Sequence, residues 1–194
     1  MILPEKINGF NRSTEKYFLF IGRLHPIKAL ENLIQALALS EKFKASEFVF
    51  KIVGDGEDSY KKGLEAMILE LGLVEKIKLV GTIEGEKKQE LYANAYFTFL
   101  ISHTENFGIV VIESLAQGTP VVTSKGTPWQ ILEDRNAGFW VGNDVSSLAS
   151  VINRISNLNA EEYNTYRENA SKLVNEEYNI DSNVEKWIAA YQSL

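Results

Sequence analysis

The sequence alternates short apolar runs, which predict β-strands, with amphipathic segments that predict helices. Six apolar runs are present, at residues 17–23, 48–54, 76–81, 96–102, 119–124 and 137–142. The segment after the first run has apolar residues at the helical spacing i, i+3, i+4 and i+7, namely Leu30, Leu33, Ile34 and Leu37. Each predicted strand is a near-continuous apolar run, which is typical of a parallel sheet buried on both faces. We therefore predict an α/β fold, a Rossmann-like doubly wound parallel sheet of about six strands with a helical C-terminal extension.

The two ends of the chain differ from this alternating region. Residues 1–16 form a polar, linker-like lead-in, and residues 17–194 are predicted to form one domain that includes the C-terminal helices. From about Val145 onward only helical patterns remain. In the last of them, Trp187 and Tyr191 either pack on this domain or stay exposed and favour association.

Composition excludes several functional classes. The net charge of -6 argues against a broad nucleic-acid surface. The absence of cysteine rules out disulfides, thiolate zinc sites and cysteine nucleophiles, and only two histidines are present, His25 and His103. No apolar stretch approaches the ~20 residues that span a bilayer, and the N-terminus lacks a signal-peptide pattern. We therefore expect a cytoplasmic protein without a metal site.

The loops that leave the first three strands are suited to a phosphorylated ligand, because ligands bind at the carboxyl ends of parallel strands. Arg23 and Lys28 are two cations in the first loop, which either clamp a diphosphate or remain solvated, and Pro26 between them is where the following helix can begin. In the second loop, Gly54 and Gly56 allow close approach of a ligand or only turn the chain. Gly81, after the third strand, has the same two interpretations, as part of a base pocket or as a turn.

The loop after the fourth strand contains the strongest signal. Glu105 lies in this loop, and the next helix is predicted to begin near 106–108, where Gly108 exposes backbone N–H groups as an anion site. Glu113 follows eight residues after Glu105, inside the apolar segment "GIVVIESLA". A buried carboxylate needs a partner, and sugar hydroxyls are suitable partners; the alternative is an exposed helix edge.

Four motifs in this order resemble the C-terminal half of GT-B fold glycosyltransferases: "GRLHPIK", "VGDGE", "ENFGIVVIE" and "QGTPVVTSKGTPWQ". The chain is most similar to family four of the retaining enzymes. The resemblance implies the donor-binding domain of a metal-independent hexosyltransferase that needs no cofactor and uses a UDP-sugar or GDP-sugar, with UDP expected first. It also implies a polysaccharide, lipopolysaccharide or lipid-linked acceptor, held by an N-terminal domain that this sequence lacks, and a full-length enzyme peripheral to the inner face of the membrane. The isolated domain is expected to transfer little.

The resemblance also implies roles for individual residues. Arg23 and Lys28 would bind the diphosphate, Glu105 would face the donor sugar with the backbone of 106–108, and Glu113 would accept hydrogen bonds from ribose hydroxyls. The complete nucleotide-sugar set is Gly22, Gly54, Gly56, Val80, Gly81, Ile83, Asn106, Phe107, Gly108 and Glu113. The chain departs from the family at Ala29, where glycine is common.

Two other functions compete with this interpretation. A non-catalytic nucleotide-sugar-binding module, acting with a partner chain, would need the same loops. A dinucleotide-dependent oxidoreductase is disfavoured, because "VGDGED" follows the second strand and is not the Gly-x-Gly-x-x-Gly of a first crossover.

Overall fold

The computed structural model describes residues 15–179 and 183–184. They form a six-stranded sheet in the order β3-β2-β1-β4-β5-β6, and every registered pair is parallel. The strands are β1 Tyr17–Ile21, β2 Val49–Val53, β3 Ile77–Gly81, β4 Phe97–Leu100, β5 Val121–Ser124 and β6 Gly138–Val141. The predicted Rossmann-like fold is confirmed, and each strand lies within its predicted apolar run.

Helices connect the strands and extend beyond them. They are α1 Leu30–Leu39, α2 Glu41–Ala45, α3 Asp58–Glu70, α4 Gly85–Asn94, α5 Ile109–Ala116, α6 Ile131–Asp134, α7 Val145–Ile155 and α8 Ala160–Leu173. A π-helical turn, Val174–Tyr178, continues from α8. The predicted terminal segment with Trp187 and Tyr191 lies outside the described residues, as do residues 1–14 of the lead-in.

The inner strands read as near-continuous apolar runs because both faces of the sheet are buried there, whereas the edge strand β3 has Lys78 and Val80 exposed. Along β1, Phe18 and Phe20 pack in one hydrophobic cluster with residues of α1 and α7. Tyr17 and Leu19, which alternate with them, pack in a second cluster with Tyr92 of α4. Successive side chains of a strand point to opposite faces, so the two clusters cover the two sides of the sheet.

The sheet order places the functional loops together. Strand β1 pairs with β2 on one side and with β4 on the other, so the order of strands reverses between β1 and β4. In open parallel sheets a crevice forms at this switch point, beyond the carboxyl ends of the strands. The loops carrying Lys28 and Glu105 leave β1 and β4 there.

A helical turn begins at Pro26, as predicted, but it does not continue into the first α-helix. Pro26–Lys28 form a short 3₁₀ turn, and α1 begins only at Leu30. The two are separated by Ala29, whose φ of 49° is left-handed. Glycine adopts this conformation without a steric cost, which is a physical reason for the glycine that the resemblance implies where this chain has Ala29. The break directs the 3₁₀ turn, and with it Lys28, toward the loop after β4.

Candidate functional site

The carboxyl ends of β1 and β2 approach each other so closely that only glycine fits between them. The Gly22 N–H donates to the Val53 carbonyl at 3.0 Å. A Cβ on Gly54, where φ is +140°, would lie 1.8 Å from the Gly22 oxygen. A Cβ on Gly56 would lie 2.1 Å from the Leu24 oxygen. The primary role of Gly54 and Gly56 is therefore structural, because they allow the loops after β1 and β2 to contact each other.

A groove of about 390 Å³ opens beside this contact. Its lining comes from residues 21–23, 53–55, 82–85 and Lys88. It includes four of the predicted residues, Gly22, Arg23, Gly54 and Ile83. From the loop after β3, Thr82 and Ile83 line the groove. The predicted Val80 and Gly81 are not part of this lining and lie just before it, at the end of β3. Arg23 is exposed in this groove and takes part in none of the ion pairs found between described residues.

Lys28 and Glu105 meet across the switch point. The Lys28 Nζ lies 2.5 Å from Glu105 Oε2, and both side chains are about four-fifths buried, with 18% and 20% exposed. Two backbone hydrogen bonds hold the loops in place: the His103 N–H donates to the Ile27 carbonyl at 2.8 Å, and the Glu105 N–H to the Gly126 carbonyl at 2.9 Å. The structure thus brings the predicted cation and the predicted carboxylate together as an ion pair.

The N-terminus of α5 is shaped by Gly108. This residue is the N-cap with a φ of 77°, and the helix begins at Ile109, close to the predicted start. A Cβ on Gly108 would lie 2.4 Å from Leu100 Cδ2. The buried Trp129 donates its indole N–H to the Phe107 carbonyl and fixes the preceding turn. No side chain caps this helix, so its N-terminal N–H groups suit an anionic ligand.

Glu113, inside α5, is held by two donors from α4. The Lys88 Nζ lies 2.7 Å from Oε1, and the Tyr92 hydroxyl donates to Oε2 at 3.0 Å. The Glu113 side chain is 19% exposed, so it is not the exposed helix edge that was the alternative. Burial, and after it the Glu113 charge, raises the pKa of Tyr92 far above its ordinary value, so the phenol remains a donor.

The sequence analysis missed Lys88 and Tyr92. The predicted residues at the end of β3 and in the loop after it were Val80, Gly81 and Ile83, although α4 follows this loop directly. Lys88 and Tyr92 are four residues apart, the spacing that places two side chains on one face of a helix. This pattern, a cation and a phenol on one face of a helix that follows a strand, could have indicated that α4 supplies the partners of the buried Glu113 carboxylate.

Two larger grooves contain none of the predicted residues. One of about 790 Å³ lies among α2, α7 and α8, and includes Arg154 and Tyr166. Another of about 570 Å³ lies between β6 and α7. Size alone would favour them, but neither is lined by Gly22, Arg23 or Gly54, or by Lys88, the lysine that contacts Glu113. We therefore assign the site to the smaller groove.

The described residues contain neither a cluster of metal-ligating side chains nor a helix that could span a membrane. Within residues 15–179 and 183–184, no three His, Cys, Asp or Glu side chains are grouped so that they could hold a metal ion. None of the helices found there is long and apolar enough to cross a membrane.

A sequence profile described as "Glycosyl transferases group 1" matches residues 4–173. This chain belongs to that glycosyltransferase family. An uncharacterized glycosyltransferase of Methanocaldococcus jannaschii is 34% identical, over 97% of this chain and 48% of its own length. A D-inositol 3-phosphate glycosyltransferase of Thermomonospora curvata is 32% identical, over 71% of this chain and 34% of its own. This chain thus spans about a third to about half of the length of these relatives.

Solved structures show the same fold. HepE of Anabaena, in complex with UDP and glucose, matches with a TM-score of 0.79 and 25% identity, over 93% of this chain and 49% of its own. The C-terminal domain of the group 1 glycosyltransferase LpcC of Francisella tularensis matches with a TM-score of 0.79 and 21% identity, over 91% of this chain and 96% of that domain. The predicted resemblance to the C-terminal half of a GT-B glycosyltransferase is confirmed.

Proposed function

We propose that this chain is the donor-binding domain of a retaining, metal-independent glycosyltransferase that uses a nucleoside-diphosphate hexose. The observation that supports it most is the groove that Arg23 and Lys88 line at the ends of β1 to β3, because Lys88 contacts Glu113 there, and the Lys28–Glu105 pair joins the loops that follow β1 and β4. The acceptor, a polysaccharide, lipopolysaccharide or lipid-linked glycan, would bind to a further domain, and the complete enzyme would associate peripherally with the membrane.

The diphosphate would lie between Arg23, Lys28 and the N-terminus of α5. Arg23 lines the groove as an exposed cation, and its planar guanidinium suits two phosphate oxygens. Lys28 would add a second positive charge, and the uncapped N–H groups of α5 a third source of positive potential. These groups would stabilise the charge that develops on the leaving nucleoside diphosphate.

The nucleoside would occupy the rest of the groove. Glu113 would accept hydrogen bonds from the ribose hydroxyls, and the base would lie near residues 80–83, with Ile83 in the groove lining. UDP is the first expectation for the nucleotide. It gains support from HepE, whose structures include complexes with UDP and with UDP-glucose.

The sugar would face Glu105 and the backbone of residues 106–108. Glu105 would accept hydrogen bonds from sugar hydroxyls while its other oxygen stays with Lys28. The acceptor would attack on the face that the diphosphate leaves, with a donor phosphate oxygen taking the acceptor proton, so that the anomeric configuration is retained. Arg23, Lys28 and Glu105 would be the catalytic residues of this chain.

A second candidate is a non-catalytic nucleotide-sugar-binding module that acts with a partner chain. The observation that favours it is that every group in the proposed donor site belongs to this one chain. Hydrolysis of a nucleotide-sugar by the isolated chain, or transfer by it together with a further domain, would distinguish the enzyme from the module.

Calorimetric titration tests the binding step that both candidates share. The chain is titrated with UDP, GDP, UDP-glucose and GDP-mannose, with and without a chelator. We expect one base to be preferred, no effect of the chelator, and affinity at least about tenfold lower in Arg23→Met and Glu113→Ala, since each loses a charged hydrogen bond. Lys87→Met is the matched control, because Lys87 is exposed on α4. Binding that Arg23→Met and Glu113→Ala leave unchanged would place the site elsewhere.

A further inference from the structure

Both carboxylate oxygens of Glu113 are already engaged in the structure. Lys88 binds Oε1 at 2.7 Å and Tyr92 donates to Oε2 at 3.0 Å. A carboxylate has about four acceptor positions, two on each oxygen. One position on each oxygen therefore remains, and the two are fixed in direction by Lys88 and Tyr92.

The two donors are themselves held in place. Tyr92 is fully buried, and its carbonyl accepts a hydrogen bond from the Thr119 hydroxyl at 2.6 Å. The preceding carbonyl, of Leu91, accepts one from the Tyr17 hydroxyl of β1 at 2.8 Å. This anchors the C-terminal turns of α4 to the sheet, so the phenol can move little. Lys88 lies one turn earlier, and it also lines the groove.

We propose that Lys88 and Tyr92 are positioning residues that hold the Glu113 carboxylate to receive the two neighbouring hydroxyls of a ribose, and so select ribonucleotides over deoxyribonucleotides. This inference rests on the proposed function, in which Glu113 faces the ribose. Two adjacent hydroxyls can donate to the two free acceptor positions only if the carboxylate keeps one orientation. Lys88 also compensates the Glu113 charge, which would otherwise repel the diphosphate of the same ligand.

A direct phosphate contact of Lys88 is the competing explanation, because this cation lines the groove. The two roles predict different losses. A phosphate contact strengthens binding of ribose and deoxyribose nucleotides equally, and also that of inorganic diphosphate. A positioning role changes the ratio between the ribose and deoxyribose forms, which a phosphate contact or a general loss of stability does not.

Calorimetric titration with UDP and dUDP, and with GDP and dGDP, measures that ratio. For the preferred base we expect the wild type to bind the ribose form about 10- to 100-fold more tightly, the effect of a hydrogen bond to a charged acceptor. In Tyr92→Phe and in Lys88→Met the preference should fall to about threefold or less. Lys88→Arg, which keeps the charge and the donor, should retain most of it. The control Lys87→Met should match the wild type, and melting curves establish that each variant is folded.

The outcomes separate this inference from the function on which it rests. If the wild type prefers the ribose form and Glu113→Ala abolishes the preference, but folded Tyr92→Phe and Lys88→Met keep it, the positioning role is wrong and the donor site stands. An equal loss of both forms in Lys88→Met would assign Lys88 to the phosphate and overturn its positioning role. If the wild type binds no nucleotide, or Glu113→Ala changes nothing, both proposals fail.

Discussion

Replacement of Gly54 by alanine should destabilise the chain and disrupt the groove. The added Cβ would lie 1.8 Å from the Gly22 carbonyl oxygen and 2.9 Å from its carbon, which are both backbone atoms. A flexible side chain could move away at little cost, but the end of a central strand cannot. The φ of +140° at Gly54 is also a conformation that residues with a Cβ rarely adopt.

The size of the effect follows from the bonds that the displacement would break. A carbon and an oxygen need a separation of more than 3 Å, so the ends of β1 and β2 would have to move apart by about 1 Å or more. That movement strains two hydrogen bonds, from Gly22 N–H to Val53 at 3.0 Å and from Gly54 N–H to Gly81 at 2.9 Å. A buried backbone group left unpaired costs about 1–3 kcal/mol. We expect a loss of at least about 2 kcal/mol, which lowers the melting temperature by about 4 °C or more for a chain of this size.

Gly63 provides the matched control. It lies inside α3, and a Cβ there would meet nothing within 4 Å. Gly63→Ala should therefore stabilise the chain by about 0.5–1 kcal/mol through helix propensity. Thermal unfolding followed by circular dichroism measures both variants, and calorimetry measures their UDP affinity. A Gly54→Ala variant that melts within about 1 °C of the wild type and binds UDP equally would refute the argument from the close strand ends.

Substitutions at four further positions test other parts of the molecule. Asn159→Ala removes one of the two bonds of a capping box, the one that the Glu162 N–H donates to the Asn159 side-chain oxygen at 2.9 Å. The loss should cost about 1 kcal/mol, or about 2–4 °C in melting temperature. Ala29→Gly relieves about 1 kcal/mol of left-handed backbone strain but loses about 0.8 kcal/mol from a buried methyl group, so its melting temperature should stay within about 2 °C of the wild type. Ala29→Val should melt clearly lower than the wild type. Hydrogen bonds from the hydroxyl of Ser146 and the N–H of Ser147 hold the pKa of Asp144 well below its usual value. The ionised Asp144 therefore stabilises the fold fully above about pH 4, and this stabilisation is lost as the pH falls through the lowered pKa. In Asp144→Asn, the melting temperature should consequently fall less steeply between about pH 4 and 2 than in the wild type. Glu105→Gln should bind inorganic diphosphate more tightly than the wild type in calorimetry, because Lys28 loses its anionic partner; equal or weaker binding would contradict the pairing.

The fold could be predicted from the sequence because its main signal is local. The β1 run is apolar at every position, and a strand buried on both faces is the arrangement that buries all of it. The start of α1 was not predictable in this way. Proline is compatible with the first turn of either an α-helix or a 3₁₀ turn, and only the packing around Ala29 decides between them.

The site was predictable in its loops but not in its pairings. Strand ends, glycines and the spacing of Glu105 and Glu113 are visible along the chain. Which lysine meets which glutamate depends on how elements that are distant in sequence pack together. Lys28 and Glu105 are 77 residues apart in the sequence, and Lys88 and Glu113 are 25 residues apart. Hydrophobic periodicity carries no information about such contacts, so Lys88 emerged only from the packing of α4 against α5.

The pairings also bear on which ligand the site favours. Each of the two glutamates is matched by one lysine, so these four side chains have no net charge. Arg23 is a groove cation outside these pairs, in a lining that also contains Asp55 and Glu84. A small anion that enters beside Lys28 also meets Glu105, whose negative charge opposes it. A nucleotide-sugar brings hydroxyl donors together with its phosphates, so that a glutamate can accept from a hydroxyl while a lysine, with three donors, binds both the glutamate and a phosphate. The arrangement therefore favours a ligand with alternating hydroxyl and phosphate groups over phosphate alone.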